Sequence, residues 1–180
     1  MEFSGPEWCA RFPCSKSLDD LTPDFAARVR AFLSALSHAG ARVSIADTYR
    51  PPQRAYLMHW CCMVGASGQD PDAVPPMADV AIDWLHGGDV AAARAAARAM
   101  MAGYRIRFPA ALHSRHTQRR AIDMTIGWRG TLAVHDFDGE LQRIASGPRS
   151  GGNPKLIEVG RSFGVIKLAS DPPHWSDDGH

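Results

Sequence analysis

Apolar residues recur every three to four positions after Thr22-Pro23-Asp24, so that Phe25, Val29, Phe32, Leu33 and Leu36 share one face of a helix. The threonine as N-cap, the proline at the first helical position and the acid in the first turn mark its start, and Gly40 marks its end. Arg42 to Ala46 alternates into a short strand, and Pro52 to Met63 reads as a second helix. Gln69 to Pro76 is a loop rich in proline and aspartate. Pro76 to Leu85 and Asp89 to Ala102 are expected as two more helices, the second almost pure alanine and arginine, with Met100 and Met101 as core filler. Ala121 to Ile126 is a strand of β-branched and apolar residues, and the turn Gly127 to Gly130 leads to another at Thr131 to Val134. Phe137 to Ser146 and Pro154 to Phe163 are expected as helices, with the glycine-rich Ser146 to Asn153 between them as a mobile loop lining a cleft. A last strand is expected at Val165 to Leu168. The pattern predicts an α+β fold. It shows no internal repeat and no boundary, so residues 1–180 read as one domain with residues 1–20 as an N-terminal arm.

Two separated segments carry candidate chemistry: Ser114 to Met124, which includes His116 and Asp123, and Asp171-Pro172-Pro173-His174-Trp175-Ser176. They offer two histidines and one carboxylate as metal ligands, with Asp171 to spare. Three protein ligands with an open fourth position is the pattern of a catalytic zinc, whereas a structural zinc is usually closed by four. The spare acid then has a task, taking a proton from the attacking water. A loop folding back over the strand would bring His116 beside Asp123, and two prolines stiffen the link from Asp171 to His174 by fixing φ. His113 is an alternative to His116 as ligand, although the register of Ser114, Ala121 and Asp123 favours His116. The cluster His135-Asp136-Phe137-Asp138 reads as a solvated turn, and His180 as a disordered end. The glycines of 146–153 fit neither nucleotide-binding fingerprint.

The run Ser114-x-His116-x-x-x-Arg120-Ala121-x-Asp123 resembles the S-x-H-x-x-G-R-A-x-D signature of VanY-type peptidoglycan peptidases, the zinc D-alanyl-D-alanine carboxypeptidases and L-alanyl-D-glutamate endopeptidases. Phe163-Gly164-Val165 followed by Asp171-Pro172-Pro173-His174-Trp175 is similar to the closing D-x-P-H-[FW] of that family. Thr48-Tyr49-Arg50-Pro51-Pro52-Gln53 resembles its G-Y-R-S-x-x-x-Q element more approximately. The resemblance implies a small antiparallel sheet carrying a zinc site and flanked by helices, the D-Ala-D-Ala carboxypeptidase or hedgehog-like arrangement. It implies His116, Asp123 and His174 as zinc ligands and Asp171 as general base. It implies Arg50, Gln53 and Ser114 as substrate-binding residues, Arg50 gripping a carboxylate or carbonyl with its planar fork. The ending points to the endopeptidase branch, acting on stem peptides or cross-links of peptidoglycan. The competing reading is a non-catalytic, zinc-containing cell-wall-binding or tail-associated module.

The chain departs from the signature at three positions. Arg119 stands where the family has glycine, Thr48 stands before the tyrosine where it has glycine, and Pro51 stands where it has serine. An arginine at position 119 is costly if the turn there needs positive φ, which leaves that turn in question.

Composition bounds the reading further. With 45% apolar residues in 180, the chain can build a real core. A net charge of +1 gives no global basic field for nucleic acid. No stretch approaches the roughly 18 apolar residues of a membrane span, and a monomer is expected. Met1 to Pro13 lacks the basic and apolar regions of a signal peptide. Synthesis in the cytoplasm and non-classical delivery to the periplasm or cell wall are therefore expected. A phage-type lysin fits that route, as does a secreted antibacterial effector with a cognate inhibitor protein. Cys9, Cys14, Cys61 and Cys62 allow three full pairings, and the sequence does not choose among them. A disulfide tethering the N-terminal arm to the helix of Cys61 and Cys62 would suit an oxidising periplasm; four thiols are the alternative.

Overall fold

The computed structural model describes residues 1–180. In chain order its elements are β1 (Glu2–Phe3), α1 (Pro23–His38), β2 (Arg42–Asp47), α2 (Pro52–Gly65), β3 (Ile82–Asp83) and α3 (Val90–Tyr104). They continue as β4 (Ala121–Gly127), β5 (Leu132–His135), β6 (Leu141–Ile144), α4 (Pro154–Ser162), β7 (Ile166–Lys167) and β8 (His174–Ser176). This is an α+β fold with small, mostly antiparallel sheets. The chain divides into two compact units that interleave in sequence: residues 1–14 with 50–113, and residues 15–49 with 114–180. Interleaving leaves no single linker, which is why the composition along the chain displays no boundary.

The second unit is built on the four-stranded antiparallel sheet β2-β4-β8-β7. Strand alternation sends Ile122, Met124 and Ile126 of β4 to one face, together with Trp175 of β8, and all four are buried. Against them pack Phe25, Val29, Phe32 and Leu36 of α1 and Leu156 and Val159 of α4. The Phe32 ring lies 5.6 Å from Trp175 and 5.7 Å from Phe163. Gly160 is required here, because a Cβ on it would stand 2.6 Å from the Trp175 ring and 2.9 Å from the Val165 carbonyl. Helix α1 ends as its sequence predicts, with Gly40 at φ 80°. Thr22 is its N-cap without a side-chain cap bond; its N–H is spent on the Arg119 carbonyl at 2.9 Å.

One expected helix of this unit is instead a hairpin. Phe137 to Ser146 holds the turn Asp136–Gly139 and then β6, paired antiparallel with β5. Asp136 Oδ1 accepts from the N–H groups of Asp138 and Glu140, and Gly139 sits at φ 84°. An Asx turn closed by glycine outweighs the helical spacing of the apolar residues. The segment expected as a mobile loop, Ser146 to Asn153, is tied down by buried Asn153. Its Nδ2 donates to the carbonyls of Ser146 and Pro148, while its Oδ1 caps α4.

The first unit packs α2 against α3, with Ala93, Ala97 and Met100 of α3 buried. Alanines on that face admit close approach: a Cβ on Gly65 would lie 3.1 Å from the Arg98 backbone nitrogen. Asp89 caps α3 by accepting from the N–H of Ala92. Pro76 to Leu85 holds a tight turn bridged by Met77 and Val80 and then the short strand β3, instead of the expected helix. Asp79 takes φ 64°, and Val80, Ile82 and Trp84 are buried at a period of two, which β-branched and aromatic residues favour. Residues 1–14 are held without a disulfide: β1 pairs parallel with β3, and Trp8 is buried. No disulfide joins any of the four cysteines. Burial pushes the Cys61 thiol well up in pKa, as expected of an inert buried thiol. No helix is long and apolar enough to cross a membrane.

Candidate metal centre

Within the second unit, β4 and β8 pair Asp123 directly opposite His174. Direct partners point to the same face, and this is the face opposite the core residues Ile122 and Trp175. His116 reaches the same place from the polar turn before β4. That turn is closed by the N–H of Arg119 to the His116 carbonyl, by Arg120 N–H to the Arg115 carbonyl at 2.8 Å, and by reciprocal bonds between Ser114 and Thr117. Arg119 keeps positive φ, at 62°. The glycine-like turn therefore survives without the glycine, and the Arg119 guanidinium lies 4.5 Å from the centre of the Tyr49 ring. A cation–π contact of about 0.5–1 kcal/mol offsets part of the strain.

His116 Nε2 lies 3.1 Å from Asp123 Oδ1 and 3.1 Å from His174 Nδ1, and that Nδ1 lies 3.1 Å from the same carboxylate oxygen. Zinc bonds of about 2.0–2.1 Å imply a tetrahedral edge of about 3.3 Å, so the triangle matches one face of such a site in size. The outer nitrogens are also accounted for. His116 Nδ1 donates to the Thr48 carbonyl at 3.2 Å, and His174 Nε2 to the His180 carbonyl at 3.1 Å. A carbonyl only accepts, so each neutral ring carries its proton on the outside and turns a bare lone pair inward. Two lone pairs and a carboxylate oxygen then converge where both imidazoles are buried. Such an arrangement calls for a cation. The three residues form a group that could hold a metal ion.

When the imidazoles are protonated the contacts reverse: burial alone would raise the Asp123 carboxyl, but hydrogen bonds from His116 and His174 and their charge then hold it well below the usual carboxylate range. Burial alone would lower His174, yet Asp123, the His180 carbonyl and the charge of Asp171 raise it.

The remaining predicted residues fall as follows. Asp171 is exposed on the loop between β7 and β8, outside the triangle, and its carbonyl accepts from the His174 N–H at 3.1 Å. Ser114 spends its hydroxyl, N–H and carbonyl on Thr117 within the turn. Arg50 and Gln53 belong to the first unit, half-buried beside and in the first turn of α2. His113 is exposed and also belongs to the first unit, so it takes no part in the triangle. His180, expected as disordered, supplies the carbonyl beneath His174. It is flanked by ion pairs of Arg115 with Asp178 and of Arg120 with Asp177, the latter at 3.0 Å.

Sequence reasoning missed Thr48. It is fully buried, its N–H donates to the Ser15 carbonyl at 2.7 Å, and its hydroxyl lies 2.8 Å from the Ser17 carbonyl. Thr48 thereby fixes the carbonyl that orients His116. Its only advance signal was its place in the Thr48-Tyr49-Arg50 element. No protein-family model matches the chain, and no curated protein matches its sequence.

Proposed function

We propose that the chain is a zinc-dependent peptidase of bacterial peptidoglycan, cutting a bond within the stem peptide or cross-link as an endopeptidase. The observation that carries the proposal is the convergence of two inward imidazole lone pairs and one carboxylate, with a second carboxylate, Asp171, on the loop that delivers His174. His116, Asp123 and His174 would hold the metal. Zinc bound there supplies Lewis acidity toward a peptide carbonyl and makes water easier to deprotonate. Asp171 accepts the proton of the attacking water and returns it to the leaving amine, so that one water is consumed for each bond cut. Arg50 grips a carboxylate or carbonyl of the peptide, as the motif resemblance implies. The same resemblance supports a hedgehog-like arrangement around the β2-β4-β8-β7 sheet and action outside the cytoplasmic membrane, as a lysin or a delivered effector.

A groove of about 620 Å³ lies in the same unit, lined by Met124, Ile126, Gly151, Lys167, Pro172 and Pro173 among others but by none of the three triangle residues. Purified peptidoglycan digested with the zinc-loaded chain should release peptide fragments with new amino termini, and a chelator should stop the release. Fragments absent in both conditions, with the chain co-sedimenting with the wall, would establish the binding-module alternative instead.

A further inference from the structure

One half-buried cation beside the site has no part in the chemistry described. Lys167 of β7 sits opposite Trp175 in the ladder, its Nζ 5.6 Å from the centre of the ring. The ammonium donates to three main-chain carbonyls: Leu168 at 2.7 Å, His174 at 3.0 Å and Asp171. An ammonium has three protons, so all are spent inside one short loop. The loop also closes on itself, with Leu168 N–H to the His174 carbonyl at 3.1 Å and Asp171 N–H to the Leu168 carbonyl at 3.3 Å. Burial draws the Lys167 pKa down against the opposing charges of Asp171 and Asp123. The cation therefore stands in the field of both carboxylates.

Asp171 itself is exposed, so no packing fixes its side chain. The prolines restrict φ only at positions 172 and 173. What sets the remaining torsions of the loop is the set of carbonyl contacts. We infer that Lys167 is a positioning residue, locking the β7–β8 loop so that the Asp171 carboxylate is presented at a fixed place beside the metal ligand His174. This rests on the reading of Asp171 as the base. Lysine suits the role because three carbonyls converge on one compact donor, which a planar guanidinium cannot satisfy.

Lys167→Met keeps the length of the side chain and its contact with Trp175 while removing the donors. Zinc content and KM should hold, and kcat should fall roughly ten- to a hundredfold, the order expected when a catalytic group shifts by about 1 Å. Because the lysine acts through Asp171, the double variant Lys167→Met/Asp171→Asn should be no slower than Asp171→Asn alone. Amide hydrogen exchange at Asp171 and His174, which needs no activity, should quicken at least tenfold. Unchanged kcat, loss of zinc, additive losses in the double variant, or unchanged exchange would each overturn the inference. Wild-type turnover by Asp171→Asn would remove the base assignment, and the exchange measurement would still judge the loop. Where Lys167→Met fails to fold, Lys167→Arg carries the same tests, with the same loss in kcat expected.

Discussion

The two units differ in what they bury. The α2–α3 unit fills its interior with Trp8, Tyr56, Leu57, Met100 and two cysteines, and its only buried polar residue is Ser4. The sheet unit buries Thr48, His116, Asn153, His174 and Ser176. Each of these side chains has a hydrogen-bond partner, and three of them build or hold the His116–Asp123–His174 triangle. Burying a polar group costs free energy unless it is partnered. Three of the five gather at one point of the sheet unit, where a cation could be held, whereas the other core is organised for cohesion. Buried polarity, more than pocket size, separates the two.

The strongest way to break this contrast is to remove a ligand. His116→Ala or His174→Ala should abolish stoichiometric zinc and all metal-dependent hydrolysis, and elemental analysis showing full zinc in both would end the metal assignment. Asp171→Asn should keep zinc and fold while losing about 10²–10⁴-fold in turnover, the usual worth of general-base help; steady-state rates on defined muropeptides check this. Arg50→Lys asks whether the other unit takes part at all. A lost charge-assisted bond is worth about 1.5–3 kcal/mol, so kcat/KM should drop on the order of ten- to a hundredfold with melting temperature unchanged. A wild-type rate would confine the chemistry to the sheet unit.

A smaller effect concerns pH. In the metal-free chain the pKa of His174 is raised. The stability from its pairing with Asp123 is therefore complete below the ordinary imidazole value of about 6.5 and is lost as pH climbs through the raised one. Zinc would replace that proton, so the zinc-induced rise in melting temperature should grow as pH climbs toward the raised value, by at most about 1.4 kcal/mol per pH unit for one displaced proton. A constant difference between chelated and zinc-loaded samples would contradict this. The smallest effect expected is at Arg119. Arg119→Gly relieves a positive φ of 62° but forfeits the Tyr49 contact, so calorimetry should find a net change within about 1 kcal/mol.

The strand β4, the helix α1 and the grouping of His116, Asp123 and His174 were legible because each depends on residue type: β-branched runs, a capped amphipathic period, imidazole and carboxylate. The parts that orient the ligands were not, because they are carbonyls of Thr48 and His180, and every residue has a carbonyl. Lys167 was hidden for the same reason, its partners being main-chain atoms of the loop it serves. The two misplaced helices, at 76–85 and 137–146, were lost to local turn chemistry. In both, an apolar spacing compatible with helix yielded to a residue at positive φ, Asp79 or Gly139.

The strand order β2-β4-β8-β7 has a consequence for biosynthesis. The last strand of the sheet to leave the ribosome is an interior one, and it carries His174, the third member of the triangle. Until residues 174–176 have emerged, β4 presents its edge without β8, a hazard for association with other nascent chains. The triangle likewise lacks His174 until then. A cation held by all three residues could therefore be captured only after residue 174 has been made, and a translation product stopped short of His174 would bear an exposed strand and no closed site.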